Sequence, residues 1–234
     1  MLILALDTAG DNCAVALARA GDGLSVLARR VEAIGRGHAE RLMPMIGEVL
    51  AEADLTYADL ERIAVTTGPG SFTGTRIGVA GARGLALALA IPAVGVSVLD
   101  ALIEATGGKA DSLIVAALDA KRGEIYAKAV RPGSKPGSAT PSFEAQVTTA
   151  AALAQAIAAA NGGPVILTGS AAVEVARMLG ETGIQATIAG DAASADVSTV
   201  AALGARGESD LPPVPLYLRP PDAKPQTGMS VSRK

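Results

Sequence analysis

Hydrophobic and polar positions along the chain predict an alternation of strands and helices in its first hundred residues. Three apolar runs separated by turns predict strands, and later runs with a period near 3.6 predict helices between two further strands. The order is strand-strand-strand-helix-strand-helix-strand. The strands are predicted at 2–8, 13–19, 24–32, 62–67 and 93–98, and the helices at 38–53 and 74–90.

The same order recurs in the second half, without a clear repeat of sequence. A helix predicted at 97–106 connects the two halves. We therefore expect an α/β fold of two subdomains, each with a mixed five-stranded sheet. The second set consists of strands at 112–120, 124–131, 143–148, 163–170 and 184–190, helices at 149–160 and 171–181, and a last helix at 194–205.

The domain boundaries follow from this order. We expect a first subdomain of residues 1–100, joined by the returning segment 195–221, and a smaller second subdomain of residues 101–194. Gly, Ser and Pro in 131–142 predict a flexible loop. The polar, Pro-rich composition of 222–234 predicts a flexible tail.

Composition narrows the class of protein. Half of the 234 residues are hydrophobic but only 2% are aromatic, so the core must consist of Ala, Val, Leu and Ile. The net charge of −3 and the few aromatic residues disfavour direct, unaided binding of RNA. Cys13 is the single cysteine, which excludes an intrachain disulfide.

The start has no basic region typical of a signal peptide, and Arg83 and Pro92 interrupt the most apolar window. We expect a cytoplasmic protein without a membrane span.

The Gly-rich stretch 66–90 resembles a phosphate-binding loop only superficially. Gly74 is followed by Thr75 and Arg76, where a Walker loop needs Lys and Ser/Thr. Gly68, Gly70 and Gly74 are spaced one residue too far for a dinucleotide fingerprint. We therefore expect these glycines to serve backbone turns and close packing.

Small residues recur every four positions in the predicted helix 74–90, at Gly74, Gly78, Ala82, Ala86 and Ala90. Such a face allows another helix axis to approach closely, although the face can equally pack on the chain's own sheet. The sequence leaves both alternatives open.

The predicted helix 38–53 has a broad apolar face. On a helical wheel its apolar positions cover about 160°, wider than the stripe of about 100° that one core contact requires. Part of the face is therefore expected to point outward. Pro44 lies within this helix and predicts a kink or a later start.

At this point the chain resembles a known family. The stretches "LALDTAGDNCAVAL", "GHAERLMPMI", "TTGPGSFTGTRIGVAGARGLALAL", "VGVSVLDAL" and "LDAKRGEIYA" are similar to the bacterial TsaB (YeaZ) family, and the element order resembles the actin-like ATPase superfamily, whose subdomains are ribonuclease H-like. The resemblance covers most of residues 1–130 and is thin afterwards, apart from "PLYLRPPDAK" near the end.

The resemblance implies a role in placing threonylcarbamoyl on adenosine 37 of tRNAs that read ANN codons. Family members are considered non-catalytic and form a heterodimer with the catalytic protein TsaD, which the P-loop ATPase TsaE joins. It further implies a homodimer in the absence of the partner, contact with tRNA only through the complex, and an interface built from the first two helices. The residues we expect there are His38, Leu42, Met45, Ile46, Val49, Gly74, Ile77, Gly78, Gly81, Ala82 and Leu85.

Catalytic relatives hold a metal with two histidines four residues apart on the first helix. Here His38 matches one position and Leu42 the other, and His38 is the single histidine of the chain. A lone histidine near a helix start is usually a capping or surface residue. We therefore expect no catalytic residue, no metal and no cofactor.

Two aspartates support an alternative function. Asp7 and Asp119 each end the first strand of a half, where actin-like enzymes keep a carboxylate, and Gly169 lies where that superfamily places its adenosine loop. We interpret these residues as a vestigial nucleotide cleft. The alternative is an ATP-binding ATPase or kinase of the actin-like class. Serine hydrolase chemistry lacks its motif, and Cys13 in an apolar strand is expected to stay protonated.

Overall fold

The computed structural model describes residues 1–108, 111–132, 143–160, 163–207 and 212–219. Ten strands and six helices lie in the described residues, and their order is the one that the sequence predicts. The strands are β1 (Leu2–Asp7), β2 (Asn12–Ala20), β3 (Leu24–Ala33), β4 (Arg62–Thr66), β5 (Ala93–Val96), β6 (Leu113–Asp119), β7 (Ile125–Val130), β8 (Phe143–Thr148), β9 (Val165–Thr168) and β10 (Ala186–Gly190). The helices are α1 (His38–Glu52), α2 (Phe72–Leu89), α3 (Val98–Ala105), α4 (Ala150–Ala159), α5 (Ala172–Glu181) and α6 (Val197–Arg206), with a short 3-10 helix at Tyr57–Asp59.

The strands form two five-stranded mixed sheets with the same internal topology. The first sheet has the order β3-β2-β1-β4-β5 and the second β10-β9-β6-β7-β8. In each sheet the first strand pairs antiparallel with the second strand and parallel with the fourth, as in β1 with β2 and β4. The α/β fold class with two such sheets is therefore confirmed.

Side chains of the first sheet alternate between two cores, as the period of two in a strand requires. Leu4 and Leu6 of β1 face α1 and α2, whereas Ile3 and Ala5 face α3 and α6. The second core also contains Leu118 of β6, so it lies between the two sheets. A third core joins the second sheet to α4 and α5. We call the first sheet with α1, α2 and α6 the first lobe, and the second sheet with α4 and α5 the second lobe.

Small residues replace aromatic bulk where α6 crosses the first sheet. A Cβ built on Gly204 of α6 would overlap the Cβ of Ala64 in β4. Any larger residue at either position would push the helix off the sheet. The scarcity of aromatic residues thus goes together with close helix-to-sheet packing.

Helix α1 begins at His38, where the sequence predicted it, so of the two effects expected of Pro44 the later start is wrong and the kink stays a prediction. Pro44 lies on the exposed side of the helix, where water can satisfy the carbonyl that loses its intrahelical partner. No helix in the described ranges has the length and apolar character to cross a membrane. Most of the predicted loop 131–142 and all of the predicted tail 222–234 lie outside the described residues.

Candidate functional site

A cleft with a volume of about 400 Å³ separates the two lobes. Its floor includes Ala9 and Leu118, which also belong to the core between the sheets. One wall is the loop 69–71 that precedes α2, and the other is the turn 119–121 that follows β6. The cleft therefore lies at the carboxyl ends of β1 and β6, where α/β proteins commonly place ligands.

Asp7 lies beneath this cleft and does not line it. The residue is 1% exposed, and its Oδ1 accepts hydrogen bonds from Thr66 Oγ1 (2.6 Å) and the Ala9 amide (2.9 Å). Oδ2 is buried without a hydrogen-bond partner. Burial raises the pKa of the Asp7 carboxyl, against a smaller lowering by these two hydrogen bonds and by His38. Burial therefore opposes the ionised form that metal or phosphate chemistry requires.

Asp119 lines the opposite wall and is tied to its own turn. Its carboxylate accepts hydrogen bonds from the Lys121 amide (2.7 Å) and from Lys121 Nζ (2.8 Å). These bonds hold the pKa of Asp119 below its usual range. The Asp119 amide donates to Ser170 Oγ at 3.0 Å. Asp119 and Lys121 thus neutralise each other within the cleft wall.

Gly169 supports the cleft from behind. Its φ of +100° falls in the region that favours glycine, and a Cβ there would overlap the carbonyl oxygen of Ala117 in β6. The residue therefore lets the start of α5 lie against β6. Of the three residues predicted for a vestigial nucleotide cleft, Asp119 lines the cavity, whereas Asp7 and Gly169 lie behind it.

The Gly-rich stretch packs on the turn that follows β1. A Cβ on Gly70 would overlap the Ala9 carbonyl, and one on Gly74 would overlap the Thr8 carbonyl. The Ser71 amide donates to Ala9 O at 2.6 Å, and Thr8 Oγ1 donates to Gly74 O at 2.7 Å. These glycines therefore serve close backbone packing within the chain, as expected.

Most residues predicted at a partner interface are buried in this chain's own core. A Cβ on Gly78 would meet Thr8 Oγ1 and Val65, so the small face of α2 lies against the first sheet. Side chains already enclosed there have no surface to offer a partner, which corrects their assignment. The buried members are His38, Leu42, Met45, Ile46, Val49, Gly74, Gly78 and Ala82.

Three of the predicted interface residues, Ile77, Gly81 and Leu85, are half-buried, and a role for them with a partner stays a prediction. A Cβ on Gly81 would lie 3.2 Å from Leu42 Cδ2, so this glycine brings α1 and α2 together.

The outward surface of α1 and α2 consists of other residues. Met43 is 42% exposed and Leu87 is 85% exposed. Arg83, Gly84 and Leu87 line an apolar groove of about 470 Å³ that Pro212 completes. The helical periodicity of α2 could have identified these residues as outward-facing, because their positions lie opposite the small face.

An exposed cluster of two aromatic residues and one arginine lies at the start of α2. The Arg76 guanidinium stacks 3.7 Å from the Phe72 ring centroid, and its Nε donates to Tyr217 Oη at 2.7 Å. The Phe72 and Tyr217 ring centroids are 5.4 Å apart. Sequence reasoning missed this cluster because Tyr217 is distant along the chain from the other two residues.

The lone histidine is buried, so of the capping or surface role expected for it, the surface role is wrong. His38 is 5% exposed and its Nε2 lies 3.2 Å from Asn12 O. No group of three or more His, Cys, Asp or Glu side chains within the described ranges has the arrangement to hold a metal. Burial raises the pKa of the Cys13 thiol to about 11, so this cysteine is protonated at neutral pH.

Comparison with known proteins agrees with this architecture. The family model described as TsaD, tRNA N6-adenosine threonylcarbamoyltransferase, matches residues 31–163. An uncharacterized protein of Mycobacterium tuberculosis is 38% identical over 223 residues, which is 95% of this chain and 94% of that protein. The tRNA threonylcarbamoyladenosine biosynthesis protein TsaB of Escherichia coli is 39% identical over 127 residues, which is 54% of this chain and 53% of that protein.

Solved structures show the same fold. YeaZ from Pseudomonas aeruginosa matches with a TM-score of 0.71 and 28% identity over 93% of this chain and 100% of that chain. A ROK hexokinase from Thermus thermophilus matches with a TM-score of 0.50 and 16% identity over 88% of this chain and 99% of that chain, which shows the fold alone. The match to the TsaD family model over more than half of the chain shows a TsaD-related protein, and its two sheets share the fold of the ROK hexokinase. The chain belongs to the family that this TsaD model describes, and it is similar to the TsaB (YeaZ) proteins.

Proposed function

We propose that this chain acts in the biosynthesis of threonylcarbamoyladenosine at position 37 of tRNAs that read ANN codons. Its role is that of a non-catalytic scaffold and activator in a heterodimer with TsaD, which TsaE joins in a larger assembly. The observation that carries the non-catalytic role is the state of Asp7. This carboxylate is enclosed beneath the cleft, and the single histidine of the chain is buried against Asn12.

The outward face of α2 supports a site for TsaD. Leu87 and Gly84 form an apolar surface that is open to solvent, and Arg83 adds a positive charge at its edge. No acidic residue occurs in α2. A partner with a complementary helix, apolar in its centre and acidic at the margin, fits such a surface. In the absence of TsaD the same surface serves a homodimer.

A pair of matched substitutions tests the position of this interface. Gly84→Arg places a long side chain on the outward face of α2, whereas Gly180→Arg makes the same change at an exposed position of α5. Neither glycine has a heavy atom within 4 Å of a built Cβ, so both variants should fold. We expect Gly84→Arg to weaken TsaD binding by roughly ten- to a hundredfold, because overpacking an interface costs about 1–3 kcal/mol. Gly180→Arg should bind like the parent protein.

Titration calorimetry with purified TsaD measures both affinities. Unchanged binding by Gly84→Arg would place the interface elsewhere and leave the proposed pathway intact. The scaffold role itself is tested by assaying tRNA modification with TsaD and TsaE, with and without this chain. Full modification in its absence would refute that role.

A further inference from the structure

The segment 212–219, which we call the strap, crosses between the two lobes without forming a helix or strand. At the first lobe, the Leu216 amide donates to Thr67 O at 2.8 Å. Pro213 is buried against β5, where a Cβ on Gly95 would lie 3.3 Å from Pro213 Cβ. This part of the strap is therefore fixed to β5 and to Thr67, which directly precedes the loop that forms the cleft wall 69–71.

Side chains of α2 hold the middle of the strap. Arg76 Nε donates to Tyr217 Oη at 2.7 Å, and the Arg76 guanidinium lies 5.6 Å from the centre of the Tyr217 ring. Phe72 packs on the same ring. The strap is thereby attached to the first lobe through both its backbone and its aromatic side chain.

The end of the strap reaches the second lobe. Arg219 forms an ion pair with Glu124, which lies in the turn between β6 and β7. The Arg219 side chain is 23% exposed, less than a free surface arginine, and Leu218 packs against the core between the sheets. The Glu124 carbonyl accepts a hydrogen bond from the Ala120 amide at 2.9 Å, so the anchor is part of the turn that carries the second cleft wall.

These attachments place the strap across the two walls of the cleft. The core between the sheets joins the lobes at the floor, through residues such as Ala9 and Leu118. A connection at the floor alone permits the walls to separate by rotation about it. The strap adds a second connection, anchored at Thr67 on one side and at Glu124 on the other.

We propose that the strap is a clasp that sets the width of the cleft, with the Arg219–Glu124 ion pair as its releasable end. Release of this pair frees the end of the strap and lets the second lobe rotate away from the first. Because the pair is partly exposed, a competing charge or a partner that binds either residue opens the clasp without unfolding the lobes.

The distance between the lobes tests this inference. Glu40→Cys in α1 and Glu174→Cys in α5 are exposed positions on different lobes, and each takes a nitroxide label. Cys13 is buried and stays in place, and the protein without introduced cysteines serves as the labelling control. Pulsed electron resonance gives the distance distribution, and hydrogen exchange at the Leu216 amide reports whether the strap is attached.

We expect Arg219→Ala to speed exchange at Leu216 and to shift the distance distribution to longer, broader values. Arg219→Glu combined with Glu124→Arg should restore both readouts, because the charge pair is re-formed in reverse. Arg177→Ala removes an exposed ion pair within α5 and should change neither readout. Two results would overturn the inference. Unchanged exchange in Arg219→Ala would show that the ion pair does not hold the strap. Faster exchange with an unchanged distance distribution would show that the strap does not set the width of the cleft.

Discussion

At the scale of single residues, Gly74 and Gly84 occupy the same helix but have opposite surroundings. A Cβ on Gly74 would overlap the Thr8 carbonyl, which belongs to the backbone and cannot rotate away. A Cβ on Gly84 would meet open space. We expect Gly74→Ala to lower the free energy of unfolding by about 1–3 kcal/mol through overpacking. Gly84→Ala should raise it by about 0.5–1 kcal/mol, since alanine favours a helix interior.

Urea denaturation of the two variants and the parent protein measures both changes. Equal stability of Gly74→Ala and Gly84→Ala would contradict the packing of α2 on the turn after β1.

Asp7 gives a pH dependence of stability that can be stated with its sign. Burial raises its pKa in the folded protein above the unfolded value of 3.8. As the pH rises above 3.8, the unfolded chain ionises more readily than the folded one, so the folded state loses stability until the folded pKa is passed. Asp7→Asn removes this loss. We expect the variant to be more stable than the parent protein at neutral pH, and this advantage to vanish near pH 3 where Asp7 is protonated in both states.

Thermal unfolding between pH 3 and pH 8 checks the expected trend. Asp11→Asn is the matched control, because Asp11 lies in the turn that follows β1 but is exposed. An advantage for Asp7→Asn that does not change with pH would mean that ionisation of Asp7 does not oppose folding.

At the scale of elements, the outward face of α2 has a testable role in self-association. Leu87 is 85% exposed, and Val173 of α5 is a comparable apolar residue at 61% exposure. If the proposed homodimer uses α2, Leu87→Glu places a charge in its interface and should weaken self-association at least about tenfold, which corresponds to 1.4 kcal/mol. Val173→Glu should have no such effect. Sedimentation velocity over a range of concentrations gives both dissociation constants.

Neither substitution should lower the melting temperature, because both side chains project from the helix surface. Loss of self-association in Val173→Glu with retention in Leu87→Glu would move the interface to α5.

Strand and helix positions could be predicted because the periodicity of apolar residues is a local property. The face that each helix turns inward was harder to predict. The small face of α2 suits its own sheet and a second helix equally well, and only the position of Thr8 against Gly74 and Gly78 decides between them. Burial of the apolar side chains of α1 likewise depends on β2 and β3, which lie elsewhere in the sequence. The interface assignment was therefore wrong mainly for the residues that this core encloses.

At the scale of the whole molecule, contacts between distant parts of the chain determine the candidate site. The sequence identified Asp7 and Asp119 as corresponding residues of two halves, and the topology places them at corresponding strand ends. Their different burial depends on packing that no local pattern encodes. The contact of Tyr217 with Arg76 joins positions 141 residues apart, and the pair of Arg219 with Glu124 is of the same kind.

Hydrogen bonding in the cleft leads to the last prediction, which concerns nucleotides. Several donors at or beside both walls already have partners within the chain. The Ser71 amide donates to Ala9 O, the Gly74 amide donates to Ser71 Oγ, and the Asp119 amide donates to Ser170 Oγ. Lys121 is engaged with the carboxylate beside it. A triphosphate entering the cleft would have to displace these bonds and would meet the negative charge of Asp11, which also lines it.

We therefore expect calorimetric titration of the isolated chain with ATP and Mg²⁺ to show no binding at micromolar concentrations and no turnover. The variant Asp119→Asn should be titrated alongside the parent protein, since the substitution removes one negative charge and releases the Lys121 ammonium toward the cleft. This variant should bind phosphate compounds more tightly than the parent protein, because the freed cation favours an anion. Micromolar ATP binding with hydrolysis by the parent protein would instead favour the alternative of an actin-like ATPase. Such a result would also require that Asp7 becomes accessible when the cleft opens, because its Oδ2 is buried without a partner in this structure.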